Sequence, residues 1–322
     1  MKVGLLGGGG CFALNFAKYL DSIGIDHFGI GRSPPKARAF WQIDHHYRYM
    51  QLHLVNQLAA VMAVLDTERP DVIVQFAAQG EGAASFAENA PDFFMTNTVA
   101  LVRLVLELEK RSYLKRFVQI GSSEVYGSPV LPASESTPLA PTSPYSVSKA
   151  AFDQYLESMW RIAKFQMNII RPSNCYTEGQ QLWRVIPSAI ICALTGKKLR
   201  LHAGGKHEKS YLHADDLSRA IMDVIAEAPL GTIYNVGPDA PITIRSLVEH
   251  VAEACGISLG DLAEDAPDRI GQDAKYHLDS SAMKVLGWKQ HIMLPEGIAR
   301  MVEWLICYPE LRTMPRHYVH RQ

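Results

Sequence analysis

The sequence predicts an α/β fold, a doubly wound parallel sheet with a smaller C-terminal lobe. Short apolar runs alternate with amphipathic stretches over residues 1–172, the pattern of strand–helix–strand units. The first apolar run passes directly into a glycine turn and then a helix. From Ser173 onward the alternation gives way to short extended pieces and isolated helices.

With 322 residues, the chain is long enough for one large α/β unit or two lobes with a substantial core. The formal net charge of -1 and a pI of 6.9 imply no general attraction to nucleic acid. Five cysteines (Cys11, Cys175, Cys192, Cys255, Cys307) are odd in number and form no C-x-x-C, which favours reduced thiols in a cytoplasmic setting. The run 3–6 is too short for a signal peptide. The run 186–194 contains Pro187 and is too short to cross a bilayer, so no membrane partner is expected. No repeat or low-complexity segment is visible. The basic tail (Arg312, Arg316, His317, His320, Arg321) is expected to be solvated.

Residues 2–6 read as a short strand, Gly7 to Ala13 as a turn and 14–23 as a helix. This succession lets backbone N–H groups and a helix N-terminus receive a pyrophosphate, as in a Rossmann-type dinucleotide site. Gly7, Gly10, Cys11 and Phe12 are the candidate contacts; a tight turn with no ligand is the alternative. The next strand, 27–30, ends in Gly31-Arg32-Ser33. An NAD site usually carries an acid there for the ribose 2′-hydroxyl. Gly31 offers none, whereas Arg32 and Ser33 suit a 2′-phosphate, so NADP is expected ahead of NAD. A surface arginine is the alternative. His45, His46 and His53 match no zinc spacing and read as loop or surface residues, so no metal is expected.

Residues 54–66 read as a helix ended by Arg69-Pro70, and 71–77 as the next buried strand. Ala77, Ala78 and Gln79 lead from that strand's C-terminal end into a loop, the edge at which open parallel sheets bind ligands. Residues 92–110 read as one long helix. Asn97, inside it, is expected to brace a neighbouring backbone beside the cofactor, or to contact the cofactor itself.

The central stretch carries the chemistry. A buried strand, 117–120, is followed by Gly121, Ser122, Ser123 and Glu124, then a Pro-rich loop. Ser143-Pro144-Tyr145 starts a helix that carries Lys149 and continues over 152–163. Tyr145 and Lys149 lie on one helical face, so the ammonium can lower the pKa of the phenol, about 10 when unperturbed. A hydroxyl from Ser122 completes a proton-transfer site. Alone, Tyr-x-x-x-Lys is an ordinary helix pair; Ser122 and the N-terminal nucleotide site give it weight. Residues 167–171 form a further strand, closed by Pro172.

In the second half, 174–179 reads as a loop, 185–195 as a helix, 199–201 as a strand and 209–213 as extended. Ala214-Asp215-Asp216 reads as the cap of a helix through Ala226, and 233–236 as a strand. Helices follow over 244–255 and 295–308, with a polar loop at 268–273. The expected division is a dinucleotide-binding domain over 1–172 with a return segment at about 211–240, and a substrate-binding lobe from 173–210 and 241–322. Cys175 reads as a packed thiol, since no histidine lies close in sequence.

Together, GSSEVYG, SPYSVSK, RPSNCY, KSYLHADD, DRIGQD and the LGW near Leu286 resemble the extended short-chain dehydrogenase/reductase family, in its nucleotide-sugar epimerase and dehydratase branch. The resemblance covers nearly the whole chain. The Ser-Ser-Glu-Val-Tyr-Gly run looks most like the nucleoside-diphosphate-sugar 4,6-dehydratases. Ser123, the Ala77-Ala78-Gln79 run and Gly31-Arg32-Ser33 resemble the GDP-mannose dehydratases, which use NADP. The chain departs from the family pattern at Leu6, at Ala13 (usually glycine), at His53 and over Gly80-Glu81-Gly82. It departs again at Cys175-Tyr176-Thr177-Glu178, where a run ending Tyr-Gly-Pro is usual.

The resemblance implies Tyr145, Lys149 and Ser122 as the proton site, Glu124 as the base for the sugar C-5 proton, and Ser123 assisting water loss. A structural carboxylate is the alternative for Glu124. By family position Asn174, Arg184, Lys209 and Arg269 face the diphosphate or base of a nucleotide-sugar substrate; a surface ion pair is the alternative for each cation. The resemblance also implies a homodimer through a helix pair that includes the Tyr145 helix. The expected reaction is 4,6-dehydration. The alternatives are NADPH-dependent reduction of a 4-keto-6-deoxy sugar nucleotide, 4-epimerisation, UDP-glucuronate decarboxylation, and a non-catalytic NADP-binding role.

Overall fold

A computed structural model describes residues 1–33, 47–80, 85–267 and 273–316. Arg269, His45, His46, Glu81, Gly82, His317, His320 and Arg321 lie outside the described residues. Strands β1 (Lys2–Leu6), β2 (Asp26–Gly31), β3 (Tyr49–Gln51), β4 (Val72–Gln75), β5 (Arg116–Ile120) and β6 (Met167–Pro172) come first. They are followed by β7 (Asn174–Tyr176), β8 (Leu199–His202), β9 (Glu208–Lys209), β10 (Tyr211–His213) and β11 (Ile233–Val236). A seven-stranded sheet runs in the order β11-β6-β5-β4-β1-β2-β3, and every pairing in it is parallel. The order reverses between β1 and β4, which opens a crevice at their C-terminal ends.

Side-chain alternation along each strand supplies both faces of this sheet. Val3, Leu5, Val72, Val74, Val118 and Ile120 face one side with Leu14 and Phe16 of α1 (Cys11–Ser22). On the other side, Ile73, Phe117 and Met167 pack on Val61 and Leu65 of α2 (Leu58–Glu68). Leu101, Leu104 and Leu108 join that second core. Burial on both faces explains why these strands read as continuous apolar runs.

The stretch expected as one helix over 92–110 divides into α3 (Ala90–Phe94), a π-helical turn (Met95–Val99) and α4 (Ala100–Leu108). The Tyr-Lys helix is α5 (Pro144–Ala163). Ser143 caps it: its Oγ accepts the Ser146 N–H while the Ser146 hydroxyl accepts the Ser143 N–H, with Pro144 in the first turn. Phe152 and Leu156 of α5 are fully buried with Phe117 of β5. At about 1.5–3 kcal/mol for each such side chain, this contact holds the helix against the strand that leads to Ser122.

A third core gathers α6 (Val185–Thr195) with Leu247, Val248, Val251, Ile298, Met301 and Leu305. The segment 174–179 is not wholly loop, because β7 pairs in parallel with β10. Helix α7 (Ala214–Glu227) is capped by His213, whose side chain accepts the Asp215 N–H. Asp216 is buried instead, where its carboxylate accepts the N–H groups of His291 and Ile292. The indole of Trp288, from the LGW run, donates to the Asp216 carbonyl. The tail is not simply solvated either. Arg312 donates to the carbonyls of Leu305 and Ile306, and Arg316 to that of Ser188.

Candidate active site

A cleft of about 1290 Å³ runs from the glycine turn to α6. Segments leaving the ends of β1, β5 and β6 border it, with Phe76, Ala78 and Gln79 from the end of β4.

At one end stands the glycine turn. Gly7 has a φ of +74°, and a Cβ there would lie 2.5 Å from the Ala77 amide nitrogen. Only glycine lets the end of β1 approach the end of β4 so closely. Gly10 precedes α1 with no side-chain cap, and Gly10, Cys11 and Phe12 border the cleft. An uncapped helix N-terminus with no side chain in front of it suits a pyrophosphate. These residues fit a dinucleotide.

Arg32 and Ser33 border the same end, past β2. The Arg32 guanidinium donates to Gln79 Oε1 at 2.8 Å. The Gln79 backbone is held in turn by Asn97, which is fully buried. Asn97 thus sits behind the cleft wall and braces it, the first of the two roles expected. The π-helical turn that contains it is a local widening of the helix often found at functional sites. Burial and the Arg32 charge push the His53 pKa down, and its Nδ1 accepts the Val55 N–H.

The middle of the cleft holds the proton site. Ser122, Ser123, Glu124, Tyr145 and Lys149 all border it. Ser122 Oγ accepts the Glu124 N–H at 3.2 Å, capping a short helical turn, Ser123–Tyr126, and leaving its own O–H to donate. The Lys149 ammonium donates to the Ile120 carbonyl at 2.6 Å. Lys149 is 2% exposed, and burial pulls its pKa down to about 8 against the opposing field of Asp153. The Tyr145 amide donates to the Ser85 hydroxyl, and its ring meets Phe93 edge-on. Helix α5 and the end of β5 therefore bring together hydroxyl, phenol, ammonium and carboxylate.

Asn174 and Arg184 border the cleft as well, and the Arg184 charge reaches Cys11 beside the glycine turn. Lys209 also borders the cleft. Its ammonium donates to the Asp273 carbonyl at 2.7 Å and lies 3.3 Å from the centre of the Tyr276 ring. Burial brings its pKa down to about 8, with Glu124 and then Asp273 opposing. Sequence reasoning missed Tyr276 and Arg316, which also border the cleft. Tyr276 lies three residues beyond the polar loop's Asp273, and nothing in that spacing signals a ring beneath a lysine.

Cys11 and Cys175 also border the cleft, and burial pushes the Cys11 thiol up to about 11 and the Cys175 thiol well above its ordinary value. Burial thus disfavours the thiolate of both, which argues against a nucleophilic role for either. Glu178 pairs with buried His213 at 3.5 Å. Burial acts to raise its pKa, but the histidine and local hydrogen bonds bring it down to about 2. Among the described residues no cluster of metal-binding side chains occurs, and no helix is long and apolar enough to cross a membrane.

A doubly wound sheet with a dinucleotide turn and a Ser, Tyr, Lys proton site defines an enzyme of the extended short-chain dehydrogenase/reductase kind. The chain belongs to the NAD dependent epimerase/dehydratase family, whose model matches residues 3–237. It is 31% identical to the dTDP-glucose 4,6-dehydratase of Streptomyces niveus over 236 residues, 73% of this chain and 69% of that protein. The crystal structure of dTDP-glucose 4,6-dehydratase from Bacillus anthracis in complex with NAD superposes with a TM-score of 0.85 at 27% identity, covering 96% of this chain and 98% of that one. The UDP-glucose 4-epimerase of Thermotoga maritima, solved with UDP-glucose, gives a TM-score of 0.87 at 22% identity over 96% of this chain and 100% of that one, a likeness of fold alone. A nicotinamide dinucleotide, NAD(P), is the cofactor supported by the family and the glycine turn.

Proposed function

We propose that this chain is a nucleoside-diphosphate-sugar 4,6-dehydratase, converting an NDP-hexose to an NDP-4-keto-6-deoxyhexose without net redox change. The observation that carries the reading is Glu124. It borders the same cleft as Tyr145 and Lys149, two residues beyond Ser122. Chemistry confined to C-4 needs only the hydroxyl, the phenol and the ammonium. Removing water across C-5 and C-6 also needs a base, and a partly buried carboxylate is the right type.

When bound, the nicotinamide supplies reversible hydride acceptance. Tyr145, assisted by Lys149, takes the 4-hydroxyl proton, and Ser122 hydrogen-bonds the same oxygen. The resulting 4-ketone acidifies the C-5 proton, which Glu124 removes. Water then leaves from C-6, beside Ser123 and Glu124; hydride would return to C-6 and a proton to C-5, which restores the redox balance. Asn174, Arg184 and Arg269 are assigned to the nucleoside diphosphate. Gly31, Arg32 and Ser33 favour NADP over the NAD seen in the Bacillus anthracis protein. The five free thiols suit a cytoplasmic protein. Val147 and Ile162, exposed on α5, support a homodimer through that helix.

The test is incubation with NADP or NAD and GDP-mannose, dTDP-glucose, UDP-glucose or UDP-N-acetylglucosamine, read by mass spectrometry. A product lighter by one water, with no net reduced cofactor, is expected. Reduction of a 4-keto-6-deoxy sugar nucleotide at the expense of NADPH, with no water loss from any of the four, would replace this reading with the reductase.

A further inference from the structure

At the dinucleotide end of the cleft, small residues of one strand face large residues of the next. Strand β2 presents Gly29 and Gly31, and Tyr49 of β3 stands opposite, with Tyr47 just before it. The Tyr47 hydroxyl donates to the Gly8 carbonyl at 3.0 Å, and the Tyr49 hydroxyl donates to the Ser33 carbonyl at 2.9 Å. Gln51, next on the same face of β3, donates to the Arg32 carbonyl at 3.2 Å. The edge strand thus holds both the glycine turn and the segment that leaves β2. A Cβ at Gly9 would lie 2.9 Å from the Tyr49 hydroxyl oxygen, so this oxygen stands between the turn and that segment.

Gly31 ends β2, the place where an NAD site carries the acid that bonds the ribose 2′-hydroxyl. Its backbone is ordinary strand, with no positive φ, and would accept any residue. The obstacle is Tyr49. A Cβ at position 31 would lie 2.9 Å from the Tyr49 hydroxyl oxygen, well inside van der Waals contact. The next nearest atom, the Gly8 amide nitrogen, would be 3.4 Å away, an ordinary contact. Resting on the NADP reading above, we propose that Tyr49 is a specificity-determining residue for the dinucleotide. Its hydroxyl fills the space that an acidic side chain at position 31 needs, and its bond to Ser33 fixes the segment that offers Arg32 and Ser33 to a 2′-phosphate.

The hydroxyl is not free to step aside. The Tyr49 ring stands 6.1 Å from that of Tyr47, centre to centre, and its Cδ2 would be 3.2 Å from a Cβ at Gly29. Displacing it also breaks the hydrogen bond to Ser33. An aspartate introduced at position 31 beside Tyr49 therefore repels a 2′-phosphate without seating its own carboxylate on a 2′-hydroxyl. Removing the single hydroxyl oxygen of Tyr49 opens that seat. Positions 31 and 49 set the choice of dinucleotide as a pair, and Gly31 is glycine because of Tyr49.

The experiment titrates NAD and NADP by calorimetry into the full-length wild type, Gly31→Asp, Tyr49→Phe and the double variant. The wild type is expected to bind NADP more tightly than NAD. Gly31→Asp should lose affinity for NADP and gain little for NAD. The double variant should bind NAD about 10–100-fold more tightly than Gly31→Asp alone. Tyr49→Phe by itself should weaken NADP more than NAD, since only the 2′-phosphate uses the Ser33 segment. Should the aspartate variant fail to fold, Gly31→Ala carries the same comparison in urea unfolding: its loss of stability should shrink when Tyr49→Phe is added, and additive losses overturn the proposal. If Gly31→Asp alone gains NAD as far as the double variant does, Tyr49 does not guard the position and the proposal fails. Equal weakening of both dinucleotides by Tyr49→Phe, with no gain in the double variant, shows a merely structural ring and also overturns it. A wild type that binds NAD at least as tightly as NADP removes the NADP reading itself, and this proposal with it.

Discussion

The side-chain amide of Asn97 holds both polar groups of the Gln79 backbone: Oδ1 accepts the Gln79 N–H at 2.8 Å, and Nδ2 donates to the Gln79 carbonyl at 3.0 Å. The same Nδ2 donates to Ser148 on α5. One residue in a π-helical turn thus ties the loop after β4 to the helix that carries Tyr145 and Lys149. Asn97→Ala leaves a buried N–H and carbonyl without partners, at about 1–3 kcal/mol. Urea unfolding should show that loss, and NADP should bind more weakly because Gln79 is no longer fixed. Unchanged stability together with unchanged binding would contradict the bracing role.

Lys149 gives a pH dependence with a definite sign. Its pKa is lowered from 10.5 to about 8 by burial. Above pH 10.5 neither the folded nor the unfolded chain carries this charge. Between 10.5 and about 8 the unfolded chain takes up a proton that the folded chain does not, so this contribution is lost as pH falls through the folded pKa. Lys209 acts in the same direction, so the comparison must be between the wild type and Lys149→Met. From about pH 7.5 to about pH 9.5, the wild type should gain unfolding free energy relative to the variant. Parallel pH curves would mean that Lys149 is not held in a desolvated site.

Several parts of this arrangement are legible in the sequence because they are local. Apolar runs such as 117–120 mark strands buried on both faces, and Ser143-Pro144 marks the start of α5. Tyr145 and Lys149 share a face by spacing alone. The π-helical turn is not legible, since no glycine or proline interrupts 92–110. The sequence places the cap of α7 within Ala214-Asp215-Asp216, whereas His213 caps it, because acidic residues usually cap and a histidine rarely does. Asp216 is drawn inward by amides more than seventy residues away, at His291 and Ile292. Lys209, Tyr276 and Asp273 converge through strand pairing and loop packing, which no local spacing encodes.

Behind the proton site, Arg171 and Asp153 form a salt bridge of 2.9 Å with side chains 1% and 0% exposed. Arg171 also donates to the Tyr126 hydroxyl, which joins β6, α5 and the turn after Ser122. Asp153→Asn removes the compensating charge and should cost about 3–5 kcal/mol in chemical denaturation. Asp153→Asn combined with Arg171→Met removes both charges, and recovery of part of the loss is expected. A single variant as stable as the wild type would show that the pair is not load-sharing in the fold.

The NADP preference proposed above turns on Arg32. It follows the last residue of β2 and points its guanidinium to Gln79 Oε1 at 2.8 Å, on the rim of the cleft. A 2′-phosphate there would gain a charge-assisted hydrogen bond that a 2′-hydroxyl cannot match. Such bonds are worth about 1.5–3 kcal/mol, so Arg32→Ala should weaken NADP binding about 10–100-fold. NAD binding should change little, because the glycine turn and the N-terminus of α1 hold the pyrophosphate in either case. Titration of the two cofactors by fluorescence quenching measures both effects. If NAD and NADP weaken equally, Arg32 acts by positioning Gln79, and the assignment of the 2′-phosphate to it is wrong.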